Sequence, residues 1–301
     1  MNVAFQDLGG ETGLDRILSF TIPARNARGR VLRLGPVLDA VLAAHDYPPR
    51  IRDLLSEALV LAALIGALLK HAGDQMTMQA QTEGGAVDLL VCDYRAGELR
   101  GYVRHDAEKL AALGEAPSLE ALFGSGYLAI TFDIGATGQR YQGIVPLTGA
   151  SLAAAAEHYF AQSEQVPTLI RVGIETGADG TIAGGLLVQH LPEGEDGRAR
   201  LHGDLQHPDW EHVAALAGST GADELSDPAL PLETLVWRLF HEEEVRVAKG
   251  AGLSRGCRCS VAHYQTVLAR FAEAELAAMR DEDGLIRVDC AFCSKLFPIA
   301  M

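Results

Sequence analysis

Four of the five cysteines of this 301-residue chain lie in its last fifth, in two close pairs. Cys257 and Cys259 flank Arg258, and Cys290 and Cys293 flank Ala291 and Phe292. Thirty residues, 260–289, separate the pairs. Two close pairs joined by a loop of that size let four thiolates converge on one tetrahedral Zn²⁺. Zinc-bound thiolates are already deprotonated, and peroxide or hypochlorous acid attacks them where solvent has access. A sulfenic acid formed on one cysteine has its pair partner beside it and can condense to a local disulfide, Cys257–Cys259 or Cys290–Cys293. The two disulfides together would remove the ligands, expel the metal and unfold the module. Most four-cysteine zinc sites are inert staples. The one-residue gap of the first pair argues for the removable alternative, because it brings two sulfurs close enough for a strained, easily reduced disulfide.

The elements that must position these sulfurs are legible nearby. Tyr264, Val267, Leu268 and Phe271 fall at helical spacing, so a helix fills the loop between the pairs. Asp283-Gly284 turns into a short strand, Leu285–Val288, that delivers Cys290. His263 is read as a helix-surface residue, since four thiolates complete the tetrahedron. A module this small cannot bury enough surface to hold itself together. A tetrathiolate site adds on the order of 10 kcal/mol to its folding, conditional on reduced sulfurs.

Upstream, residues 1–190 read as an α+β domain of antiparallel sheets with packed helices. Arg50–Lys70 carries a wide apolar helical face. Strands are expected at 17–22, 28–34, 76–82, 86–93, 98–104, 126–133, 142–146, 168–175 and 182–191. Shorter helices are expected at 37–45, 118–123 and 151–163, the last with Ser151 as N-cap. Residues 191–247 then form an acidic helical linker. Glu193–Glu244 holds 13 Asp/Glu against three Arg and no Lys, with helical patches at 210–216 and 232–240. That composition suits a marginally stable, metastable segment. Residues 248–301 make the zinc domain, entered after Val247 through turns expected at Gly250–Gly256.

The remaining chemistry is thin. Cys92, inside LLVC, reads as a buried inert thiol. Gly124–Gly126 lacks a phosphate-loop context, His241 sits in a charged helix end, and no nucleophile elbow surrounds any serine. An enzyme with its site in 1–190 and a passive zinc staple is the alternative reading. A net charge of −15 argues against nucleic acid as the main partner. The apolar run Ala58–Leu69 is too short to span a bilayer, and Met1–Asp15 is no secretory signal, so a cytoplasmic protein is expected.

The cysteine pattern and several long blocks resemble the redox-regulated 33-kDa chaperonins. The blocks are RGRVLRL (28–34), LLSEALVLAALIGALLK (54–70), LRGYVR (99–104), RYQGIVPL (140–147), YFAQSEQVPT (159–168) and WRLFHEEEVRV (237–247). They cover nearly the whole chain in the family's order. The resemblance implies an ATP-independent holdase that is no enzyme. Its reduced form holds one Zn²⁺ on Cys257, Cys259, Cys290 and Cys293 and is idle. Oxidation with heat forms the two disulfides, releases zinc and unfolds the linker. The exposed surface then binds unfolding client proteins, and the active form is a homodimer. After Cys293 the chain departs from the family, keeping Phe297 but placing Pro298 and Ile299 where a second aromatic is usual.

Overall fold

The computed structural model describes residues 13–114, 117–191 and 207–301. Residues 192–206 of the expected linker therefore lie outside the described residues. Strands β1 (Arg16–Ile22) and β2 (Ala27–Leu34) form a hairpin and lead to α1 (Pro36–Leu42) and α2 (Pro49–Gly66). A meander β3 (Gln75–Gly84), β4 (Val87–Arg95), β5 (Glu98–His105) follows, then α3 (Ala107–Ala112) and α4 (Leu119–Phe123). Next come β6 (Gly124–Ile134), β7 (Gln139–Pro146), α5 (Leu152–Tyr159), β8 (Thr168–Gly177) and β9 (Gly180–His190). The segment beyond residue 206 contributes α6 (Pro208–Gly218), α7 (Ala222–Ser226), α8 (Leu232–Phe240), β10 (Arg246–Gly252) and β11 (Ser254–Arg255). The cysteine module holds α9 (Val261–Leu268), α10 (Glu273–Met279), β12 (Ile286–Asp289) and β13 (Leu296–Ile299).

The fold is α+β, as the alternation of short amphipathic strands and few helices implies. One sheet has the order β10-β1-β2-β9-β8 and the other β11-β5-β4-β3-β6-β7. All pairings are antiparallel except β11 with β5. Helix α2 lies between the sheets, and residues from Ile51 to Ile65 join both in one core. Its near-continuous apolar surface is what a helix enclosed on all sides requires. It ends at Gly66 rather than at Lys70. A Cβ at Gly66 would lie 2.3 Å from the Tyr94 ring, and the chain leaves through tight turns, Leu68 N to Ile65 O and Leu69 N to Gly66 O. Ser151 caps α5 as expected, accepting from Ala154 N.

The first sheet is apolar on both faces. Ile17, Leu32 and Leu187 point to α2, while Leu18, Val31, Leu186 and Val188 point outward. Helices α6–α8 cover that outer face with Trp210, Val213, Leu225, Leu232, Leu235, Val236 and Phe240. Each such side chain contributes roughly 1.5–3 kcal/mol of gross burial energy, before the entropy of ordering the segment. The chain then runs straight on into the sheet. The glycine-rich stretch read as turns after Val247 is the edge strand β10, paired with β1 from Arg16↔Gly252 to Thr21↔Arg246. Its glycines allow the approach, since a Cβ at Gly250 would sit 2.4 Å from the Ile17 carbonyl oxygen. Strand β10 thus crosses from the linker segment into the stretch that carries the cysteines.

Candidate metal centre

The first cysteine pair is held by the second sheet. Strand β11 pairs with β5 (Ser254↔Glu98, Arg255↔Leu99), and Gly256 N donates to Leu99 O at 2.9 Å. Cys257-Arg258-Cys259 follows at once, and Ser260 caps α9 by accepting from His263 N. The second pair sits in the tight turn between β12 and β13. Cys290 O accepts from Cys293 N at 3.2 Å and Ser294 N at 2.8 Å, and Cys290 N donates to Lys295 O at 2.9 Å. The module's own core is four buried residues, Leu268, Leu276, Ile286 and Ile299, with Tyr264, Val288 and Phe297 against them. Of the expected apolar stripe only Tyr264 and Leu268 face the module's core; Val267 is exposed on α9, Phe271 is exposed beyond its end at Leu268, and α10 supplies Leu276 instead.

The four expected sulfurs come together. Sγ of Cys257, Cys259, Cys290 and Cys293 all lie within 4.8 Å of one another. Cys257 is 3.2 Å from Cys259 and 3.5 Å from Cys290, and Cys259 is 3.5 Å from Cys293. All are free thiols. Zn–S bonds of about 2.3 Å set the edge of a thiolate tetrahedron at about 3.8 Å, so the residues fit a zinc ion with small adjustment. A softer donor set of four sulfurs and no oxygen suits zinc over magnesium or calcium. Without a cation the cluster cannot ionise together. Burial, with the neighbouring sulfurs of Cys257, Cys293 and Cys290, pushes the Cys259 thiol up. Burial acts against Cys290 too, but donors from the Tyr264 hydroxyl, the Phe292 N–H, the Cys257 thiol and the Cys293 N–H bring it down to about 7. A divalent cation is what lets four neighbouring thiols ionise together. His263 is exposed on α9, and Cys92 is 0% exposed in the main core, its thiol pushed well up by burial.

The residues between the cysteines do what the sequence reading did not foresee. Arg258 reaches the main domain, donating to Gln75 Oε1 at 2.7 Å and Asp93 Oδ2 at 3.2 Å. The buried Asp93 also accepts from Thr77 Oγ1 at 2.7 Å and Arg100 Nε at 2.7 Å. The Arg100 guanidinium in turn lies 4.1 Å from the centre of the Phe292 ring. The Ala291 carbonyl is 2.7 Å from His45 Nε2. Both sulfur-bearing turns are thus fastened to the β3-β4-β5 face by their own intervening residues. An arginine and a phenylalanine placed inside the metal motif were the available signal.

The Hsp33 protein family model matches residues 15–299. The 33 kDa chaperonin of Caulobacter vibrioides is 42% identical over 303 residues, covering 97% of this chain and 98% of that protein. The 33 kDa chaperonin of Yersinia pestis is 36% identical over 282 residues, covering 93% and 90%. The crystal structure of the 33 kDa chaperonin (heat shock protein 33 homolog) from Thermotoga maritima superposes with a TM-score of 0.76 at 23% identity, over 95% of each chain, and so shares the fold. A match spanning both sheets, the covering helices and the cysteine module places this chain in the Hsp33 protein family.

Proposed function

We propose that this chain is a redox-regulated, ATP-independent holdase; the chaperonin names of its relatives support the chaperone part of that reading. The observation that carries the reading is the four-sulfur cluster in a module with almost no core of its own. One Zn²⁺ per chain, on Cys257, Cys259, Cys290 and Cys293, keeps that module folded. Peroxide takes two electrons from a thiolate, giving a sulfenic acid and hydroxide. The neighbouring thiol attacks its sulfur, the S–O bond breaks and water leaves, and a disulfide remains. Two such disulfides, Cys257–Cys259 and Cys290–Cys293, leave no ligand for the metal.

Loss of the metal reaches the rest of the molecule along two routes. The Arg258 and Phe292 contacts with β3-β4-β5, and the Ala291 contact with His45, go with the turns that present them. Strand β10 joins the cysteine stretch to β1 on one side and, through residues 241–245, to α8 on the other. Unfolding α6–α8 uncovers Leu18, Phe20, Val31, Leu186 and Val188, an apolar sheet face suited to unfolding client chains. The active form is a homodimer, the setting is cytoplasmic, and neither membrane nor nucleic acid is involved.

The test treats the zinc-loaded protein with peroxide at elevated temperature, following zinc with a chromogenic chelator and client aggregation by light scattering. Zinc release accompanied by suppressed aggregation supports the reading. Retained zinc, or release without any gain in protection, overturns it. An enzyme with a passive zinc staple predicts the second result, with Cys257→Ser and Cys290→Ser loosening the tail but never creating client binding.

A further inference from the structure

The sulfur cluster is approached through two openings, and both are cationic. One is a cleft of about 520 Å³ between the module and the second sheet, where Arg95, Arg100 and Arg258 surround Cys259 and Cys290. The other, about 350 Å³, has Arg255 and Lys295 beside Cys257, Cys259 and Cys293. Among the described residues, five of the six Lys, Arg, Asp and Glu side chains lining the two openings are basic. Only Asp289 is acidic. The chain as a whole has 40 acidic and 25 basic residues, so the local sign is reversed. Asp93, which pairs with Arg100 and Arg258, is buried, and Glu98, which also acts on Arg258, lines neither opening. A cleft of one sign with low-dielectric walls concentrates small ions of the other sign, whatever the net charge of the whole.

We propose that these openings select the oxidant: the sulfurs are reached preferentially by small anionic disulfides, whose carboxylates pair with Arg95, Arg255 and Lys295. The inference rests on the redox reading above and names the class of reagent that site takes. A cysteine thiolate attacks one sulfur of the bound disulfide. The reagent's S–S bond breaks, a mixed disulfide forms, and one anionic thiolate leaves. The second cysteine of the pair attacks the mixed disulfide as thiolate, forms the protein disulfide and expels the second reagent thiolate. Two electrons pass from two cysteine thiolates to one disulfide. Run backwards, the same steps let an anionic thiol reduce the protein. The alternative is that the cations only balance the charge of a tetrathiolate metal site, in which case anions gain nothing over neutral molecules.

The experiment compares two chromogenic disulfides on the reduced, zinc-loaded full chain: dithiobis(nitrobenzoate), which carries two carboxylates, and neutral dithiodipyridine. Each rate is divided by that reagent's rate with N-acetylcysteine amide, and Cys92, being buried, stays silent. The expected anionic-to-neutral ratio at low salt is roughly tenfold or more, collapsing toward one in molar salt. Arg255→Gln with Lys295→Gln, both at exposed positions, lowers the ratio at least threefold with zinc content unchanged, and Arg255→Lys with Lys295→Arg restores it. A ratio at or below one in the parent protein, or one that the Gln variants leave untouched, overturns the proposal. The rates are read from released reagent without any client, so a failure here is distinct from a failure of the holdase reading.

Discussion

Arg33 offers the sharpest perturbation of the covering helices, because it touches no sulfur. It lies on β2 and is 0% exposed. Its guanidinium donates to three backbone carbonyls of the covering segment: Nε to Leu225 O at 2.8 Å, Nη1 to Leu230 O at 2.8 Å and Nη2 to Glu224 O at 3.1 Å. Beside it, a Cβ on Gly184 would lie 2.0 Å from the Leu225 oxygen and one on Gly173 2.0 Å from the Ala222 oxygen, so α7 rests on bare sheet backbone. Replacing Arg33 by Met keeps the apolar stem and removes every donor. The Leu225 and Leu230 bonds are fully buried, so their acceptors are stranded when α7 is docked and hydrated when it is not. Each stranded carbonyl costs about 1–3 kcal/mol. Relief of the guanidinium's own desolvation offsets part of this. We take about 2 kcal/mol as the net, a roughly 30-fold fall in the docked-to-undocked ratio. The assay is built into the chain, whose only tryptophans are Trp210, 7% exposed on the inner face of α6, and Trp237, 49% exposed on α8. In a Trp237→Phe background the fluorescence of Trp210 reports docking alone. Arg33→Met should move the urea midpoint of that signal down while zinc and all five thiols are retained. An unchanged midpoint, or a loss confined to global unfolding, would refute the assignment of Arg33 as the buried latch of this segment.

Other outcomes follow from the same geometry. Gly184→Ala should undock α7 by at least as much as Arg33→Met, and the double variant should be less than additive because both act on the Leu225 carbonyl, which a double-mutant cycle on Trp210 reads out. Arg258→Gln should retain zinc yet free the module from the β3-β4 face, costing about 1–3 kcal/mol, seen as faster amide exchange at 256–260. Removing zinc with a chelator should abolish amide protection in β12 and β13 while α2 stays protected, since the module's own core is four residues. Glu57 is half-buried, and desolvation pushes its carboxyl up against the opposing backbone hydrogen bonds from Ala153 and Leu152. The folded state therefore holds this proton more tightly than the unfolded one. Its contribution is complete below the unfolded value of about 4.3 and fades as pH rises through the folded value. Glu57→Gln should accordingly gain stability relative to the parent as pH rises from 4 to 7, measured by urea midpoints.

The convergence of four sulfurs was legible in the sequence because four thiols at two short spacings make a statement that needs no fold to interpret. The α2 helix, the β3-β4-β5 meander and the Ser151 cap were legible for a related reason: side-chain periodicity and capping are properties of neighbours in the chain. Even the covered outer face left a trace. Strand β9 runs Ile-Ala-Gly-Gly-Leu-Leu-Val with hardly a polar residue, as a strand buried on both sides must. What the sequence could not give was which surface does the burying. The Gly250–Gly252 end of strand β10 reads as turns in the sequence because glycines carry no side-chain pattern. It is a strand only because β1, some 230 residues earlier, presents a free edge close enough to exclude a Cβ. Arg33 looked like one more alternating polar residue of RGRVLRL, and only the docking of α7 turns it into a buried donor to three carbonyls. Arg258 looked like a spacer, and only Asp93 and Gln75 on distant strands make it a fastening. Local chemistry fixes which groups can bind a metal or form an element. The energy of burying a charge or a bare backbone belongs to the pair of surfaces that meet, and that pairing exists only in the folded chain.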